Sequence, residues 1–214
     1  MPLTRVRGGG VDNPLTLGGG SASDRSIIFD GNAQDYHIGL DDSTDSLTIG
    51  LGSTLGTTSH MVIDANGHVT KPLQPAFSVH KNGTTQSNVA EGSHVTITWS
   101  TERFDVNSDF ASNTFTAPVT GKYLLSLNMR LEQIDSAPHY YVLKIITSNT
   151  EYRHIFDPDF GADMNYWTVA VNALADMDAN DTAYATFFQD TNGSVQTDID
   201  GSAEYTYFSG CLVC

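Results

Sequence analysis

Asp176, Asp178 and Asn180 occupy the first, third and fifth places of the run "DMDAND", residues 176–181. That spacing opens a calcium loop, because alternate side chains of a tight turn bring their oxygens around one hard cation. The sixth place, a glycine in an EF-hand, is Asp181 here, and the twelfth, a bidentate glutamate there, is Phe187. The run therefore reads in one of two ways: an irregular calcium site, or solvated turn acids in an acidic chain. The same choice applies to "FDPDFGAD" (156–163), "QDTNGS" (189–194) and "TDIDGSAE" (197–204). His37, His60, His68, His80, His94, His139 and His154 share no His-x-x-x-His spacing, so no zinc site is expected. Cys211 and Cys214 form a C-x-x-C pair without a partner pair or a strand-to-helix context. They read as small residues closing a last strand, with a redox pair or an interchain disulfide as the alternatives. A Gly-x-Ser-x-Gly elbow, a phosphate loop and a cysteine next to a histidine are all missing, and no enzyme is expected.

The charge balance narrows the partners. Twenty-five acids stand against 10 bases, a net of −15, which disfavours nucleic acid, since binding phosphates requires cations. Residues 1–25 run the other way: Arg5, Arg7 and Arg25 against Asp12 and Asp24 make +1, leaving −16 for the remainder. A weakly basic tip on an acidic body suggests an arm that docks elsewhere. The sequence has no apolar run long enough for a membrane span. The opening "MPLTRVRGGG" has no apolar stretch before a cleavage site, so a secretory signal is not expected.

Three regions follow one another. Residues 1–26 hold two glycine triplets in "RGGGVDNPLTLGGGSAS", and each ordered glycine costs extra backbone entropy. This is a flexible docking arm, with Arg5, Arg7, Leu15 and Leu17 as anchors. Residues 27–72 carry short alternating runs: Tyr36, Ile38, Leu40, then Leu47, Ile49, Leu51, then Met61 and Ile63. "IGLDDST" and "IGLGSTL" repeat at eleven residues' distance. Each run is too short to bury a core alone, so the segment reads as a β-rich, fibre-like shaft that gains its core from neighbouring copies. Lys71-Pro72-Leu73-Gln74-Pro75 marks the boundary to a head at 73–214.

In the head, strands are expected near 76–80, 94–100, 113–118, 121–131, 139–148, 151–156, 166–174, 182–190 and 204–213, making it all-β, a sandwich or jelly roll. The best specified is 121–131, where Tyr123, Leu125, Leu127, Met129 and Leu131 share a face; Leu124 breaks the pattern, and Gly121 allows a tight turn before it. "HYYVLKII" (139–146) is apolar on both sides apart from Lys144. A strand apolar on both faces needs cover on both faces, which points to contact between copies through Tyr140, Tyr141, Val142, Phe187, Tyr205 and Tyr207. Which of Tyr140 and Tyr141 points outward is left open.

The stretch 104–127, with Phe104, Asn107, Phe110, Phe115-Thr116-Ala117-Pro118, Gly121 and Tyr123, resembles the signature of C1q-like heads, relatives of the tumour-necrosis-factor jelly roll. "PAFSV" (75–79) and "YFSGCLV" (207–213) look like that family's opening and closing strands, while Leu125 and Leu127 depart from its aromatics. The resemblance covers 73–214 and implies a compact homotrimer; calcium near the trimer axis is a further implication. "DYHIGLDDSTDSLTIGLGST" looks like short β segments of bacteriophage virion fibre proteins. Together these imply a virion protein assembled in the host cytoplasm. It is expected as a homotrimeric fibre or appendage, joined to other virion proteins by its arm and offering its head to a host-surface glycan or protein. A capsid-decorating trimer and a secreted trimeric lectin or cytokine-like module are the alternatives.

Overall fold

The computed structural model describes residues 16–136, 138–191, 193 and 196–214. The chain divides into two compact units, Met1–Leu73 and Gln74–Cys214. Arg5, Arg7 and Leu15 lie outside the described residues; Leu17 is exposed.

The first unit is an antiparallel meander of β1 (Arg25–Phe29), β2 (Tyr36–Asp41), β3 (Ser46–Leu51), β4 (Ser59–Ile63) and β5 (Val69–Thr70), paired in chain order. The alternation sorts its side chains cleanly. Register places Ile27, Ile38, Ile49 and Met61 in one row, and Phe29, Tyr36 and Leu51 in the next. Leu40, Leu47, Ile63 and Val69 complete the same face. The opposite face carries His37, Gly39, Asp41, Ser46, Thr48 and Gly50.

The burial is inverted from the usual sense. The polar face is the buried one, because residues 52–58 fold back over it. Leu51 N donates to Thr58 O (2.9 Å), and Gly52 O lies 2.9 Å from His37 Nδ1. A Cβ on Gly50 would collide with Thr58 O, so only glycine admits the loop this close. Ile27, Phe29, Tyr36, Ile38, Leu40, Leu47 and Val69 meanwhile remain exposed.

The second unit holds β6 (Ala76–His80), β7 (Val95–Thr96), β8 (Thr101–Asp105), β9 (Phe110–Ala111), β10 (Thr114–Thr116), β11 (Gly121–Ile134), β12 (Tyr140–Thr147), β13 (Glu151–Phe156), β14 (Met164–Met177), β15 (Thr182–Asp190), β16 (Asp198–Ile199) and β17 (Tyr207–Leu212). One sheet runs β13-β12-β15-β10-β9 with β7 added on β15; the other runs β14-β11-β17-β6-β8 with β16 added on β11. Among the eight principal strands the first pairs with the last (β6–β17), the second with the seventh (β10–β15), the third with the sixth (β11–β14) and the fourth with the fifth (β12–β13). That wrapping of one long folded hairpin is a jelly roll, with every ladder antiparallel.

The core forms where the inward faces meet. Tyr123, Leu125, Leu127, Met129 and Leu131 of β11 are fully buried against Phe115, Tyr141, Leu143, Ile145 and Phe187 of the facing sheet. Phe77 stacks on Phe110 (5.1 Å) and Phe115 (4.7 Å) and meets Phe208 edge-on (5.0 Å), which ties both sheets together. Tyr123 is buried yet satisfied, its hydroxyl donating to Val119 O at 2.7 Å.

Three sequence expectations change in physical detail. The strand near 94–100 is reduced to β7, because Ser100 N turns to donate to His80 O and the chain pairs again only as β8. Strands β11 and β14 run longer than expected, pairing from Gly121–Met177 to Ile134–Met164. Gly121 is needed for close approach rather than for a turn: a Cβ there would lie 2.6 Å from Cys214 O and from Leu212 Cδ1.

Candidate binding surfaces

The residues expected at a contact between copies divide three ways. Tyr141 and Phe187 are corrected: both are completely buried inside the sandwich, with Tyr141 stacked on Phe156 (5.1 Å) and Phe187 (5.8 Å). Inward-facing Tyr141, Leu143 and Ile145 leave the outer side of β12 to Tyr140, Val142, Lys144 and Ile146. Tyr140 and Val142 therefore lie on the outer face of the β12-containing sheet. Tyr205 and Tyr207 belong to the opposite side of the molecule, beside and on β17.

That opposite side, the outer face of the β11-containing sheet, carries an apolar row in register: Leu174, Leu124, Cys211 and Ala76. Leu174 is 60% exposed and Leu124 47%. The next row is small and polar, Asn172, Ser126, Ser209 and Ser78, and ends on exposed Phe104. Ala76, Phe104, Leu124 and Cys211 line an open hollow of about 180 Å³. Cys211 and Cys214 are both free thiols.

Beyond these rows lies a charged cluster. The Arg130 guanidinium sits between the rings of Tyr205 (4.0 Å) and Tyr166 (4.7 Å), and it pairs with Asp200 (2.9 Å) and Glu132 (3.2 Å). Burial pushes the Glu132 carboxyl up, and the neighbouring Asp200 raises it further against the pull of Arg130. Burial also pushes Asp200 up, but hydrogen bonds from Ser202 and Arg130 outweigh it and hold this carboxyl below its usual range. The two carboxyls beside one arginine are thus pulled apart, Asp200 downward and Glu132 upward.

On the other outer face, Lys144 is only 5% exposed although it points away from the core. Its Nζ donates to Glu151 Oε2 (3.0 Å) and lies 3.0 Å from His94 Nε2. Burial and the adjacent ammonium push His94 below its ordinary value. Arg153 shares Glu151 (2.6 Å). Phe188 stacks between Tyr140 (5.5 Å) and His94 (5.0 Å). His94, Tyr140, Lys144, Arg153 and Phe188, with Val142 and Ile155, line an open depression of about 370 Å³.

The acidic turn does not gather its oxygens. Asp176 is paired with Lys122 (2.5 Å), Asp178 accepts from Thr120 Oγ1 (3.4 Å), and Asn180 takes a left-handed φ of 75° while its N–H donates to Ala117 O. Asp181 closes the turn by accepting from Asp178 N (2.8 Å). Among the described residues there is no cluster of three or more His, Cys, Asp or Glu side chains fit to hold a metal.

Sequence reasoning marked Leu124 and Lys144 only as interruptions of otherwise regular strands, and it passed over Leu174, Arg153 and the Arg130 cluster. No helix is long and apolar enough to cross a membrane among the described residues. No protein-family model matches the sequence, and no curated protein matches it. Among solved structures, the chain is similar to the globular domain of zebrafish complement 1qA protein, with TM-score 0.43 and 17% identity over 66% of this chain and 98% of that one.

Proposed function

We propose that this chain is the protomer of a homotrimeric bacteriophage virion appendage, docked by its N-terminal arm and displaying a C1q-like head to the host surface. The observation that carries self-association is the inverted sheet of the first unit. Its apolar face presents Ile27, Phe29, Tyr36, Ile38, Leu40, Leu47 and Val69 to solvent while His37, Asp41 and Thr48 are buried. Contiguous apolar faces of this kind mark interaction sites. Three copies around an axis bring these faces together as one core. The Leu124–Leu174 row, with Tyr205 and Tyr207, supplies a second contact through the heads. The virion setting draws support from the resemblance of 35–54 to short β segments of phage fibres and from the glycine-rich, weakly basic arm. Electron microscopy of labelled particles tests the setting: label on tail fibres or host-contact appendages is the expected result. Absence from particles overturns it, and label over the head shell moves the appendage to capsid decoration.

A further inference from the structure

We propose that the depression over β12, β13 and β15 is a binding site for a carboxylate-bearing sugar, held by Arg153 and Lys144 with its ring against Tyr140 and Phe188. The proposal deepens the host-contact part of the function above by naming a ligand class for the displayed head.

Charge makes the first case. In a chain of net −15, this spot gathers Lys144, Arg153 and Glu151, a local surplus of one positive charge. One carboxylate neutralises that surplus. Asp190, next to Tyr140 on the sheet, is turned to His139 (3.3 Å).

Geometry makes the second. Glu151 Oε2 accepts one hydrogen bond from Arg153 Nη2 and one from Lys144 Nζ. Among the described residues the Nη1 and Nε edge of Arg153 has no partner, and this half-exposed guanidinium presents a fork suited to a planar carboxylate. Lys144 is anchored rather than free to swing, which fixes one side of the site before any ligand arrives.

Shape and polarity make the third. At about 370 Å³ the depression falls in the range of small-ligand sites, and it combines aromatic walls with a few fixed polar groups. Tyr140, braced by Phe188 stacked against it, offers an apolar ring against which the C–H face of a pyranose can lie.

The test uses the full chain and trigalacturonic acid, with galactotriose as its neutral counterpart, by isothermal titration calorimetry at low salt. The expected result is saturable binding of the acidic sugar and none of the neutral one. Arg153→Gln should weaken it by about tenfold or more, since a charge-assisted pair is lost. Tyr140→Ala should weaken it by a smaller factor. Arg153 and Tyr140 are both partly exposed, so neither change threatens the core. No binding at millimolar concentration, equal binding of both sugars, or unchanged binding by both variants overturns the proposal. The same samples are sedimented: intact assembly without sugar binding removes this site alone, whereas loss of assembly strikes the proposed function itself.

Discussion

Leu124 on β11 lies directly opposite Leu174 on β14, and both side chains stand open on the outer face of their sheet. Directly opposite residues on one face are the closest cross-strand neighbours, so the two leucines form a single apolar spot. The proposed contact between heads would bury this pair. Burying a leucine is worth roughly 1.5–3 kcal/mol, so Leu174→Asp should raise the dissociation constant for assembly by an order of magnitude or more. The head's melting temperature, read in the dissociated form, should be unchanged, because an exposed leucine contributes little to its own fold.

Phe77 is the joint of the jelly roll, touching Phe110, Phe115 and Phe208. Phe77→Ala should cost about 3–5 kcal/mol of head stability, measured by urea denaturation, since the rings around it cannot all collapse into the space.

Gly210 fills the opposite role on β17. A Cβ there would lie 2.7 Å from Leu125 Cδ2 and 2.7 Å from Phe77 Cε1. Gly210→Ala should destabilise the head by about 1–3 kcal/mol through overpacking. Adding Leu125→Val should recover part of the loss, and a purely additive double mutant would contradict the contact.

Lys81 is fully buried, its Nζ donating to Thr98 O (2.9 Å) and Gln86 Oε1 (3.3 Å). Burial lowers its pKa from 10.5 to about 8, with Asp200 pulling the other way. Between those values the unfolded chain keeps a proton that the folded chain has released, so stability rises with pH across that window and the penalty is complete below it. Denaturation midpoints should therefore increase from pH 8 towards pH 10, and Lys81→Met should flatten the rise. A flat or falling wild-type profile would contradict the assignment.

The strands of the head were legible wherever one face alternated strictly. Strand β11 announced itself through Tyr123, Leu125, Leu127, Met129 and Leu131, all completely buried. Asn107 and Asn180 take left-handed conformations that asparagine tolerates. What periodicity could not tell was which side of a doubly apolar strand faces inward. Tyr141 and Phe187 look like Tyr140 and Phe188 in the sequence, and only the sheet topology separates core from surface. Burial of the polar face in the first unit was not legible for a different reason. Its alternation was readable, but a loop folding over His37 and Gly50 buries the polar side and leaves the apolar side open. The depression around Lys144 joins residues from position 94 to position 188, and no local pattern brings those together.

Sedimentation equilibrium of the purified full chain at micromolar concentration tests the central claim most directly, alongside Ile38→Asp in the middle of the exposed sheet of the first unit. The expected wild-type result is one species at three times the 23.1 kDa protomer mass, with Ile38→Asp shifting to lower mass while the head keeps its circular dichroism. A wild-type chain that stays at the protomer mass across that range, or an Ile38→Asp trimer as stable as wild type, would contradict it.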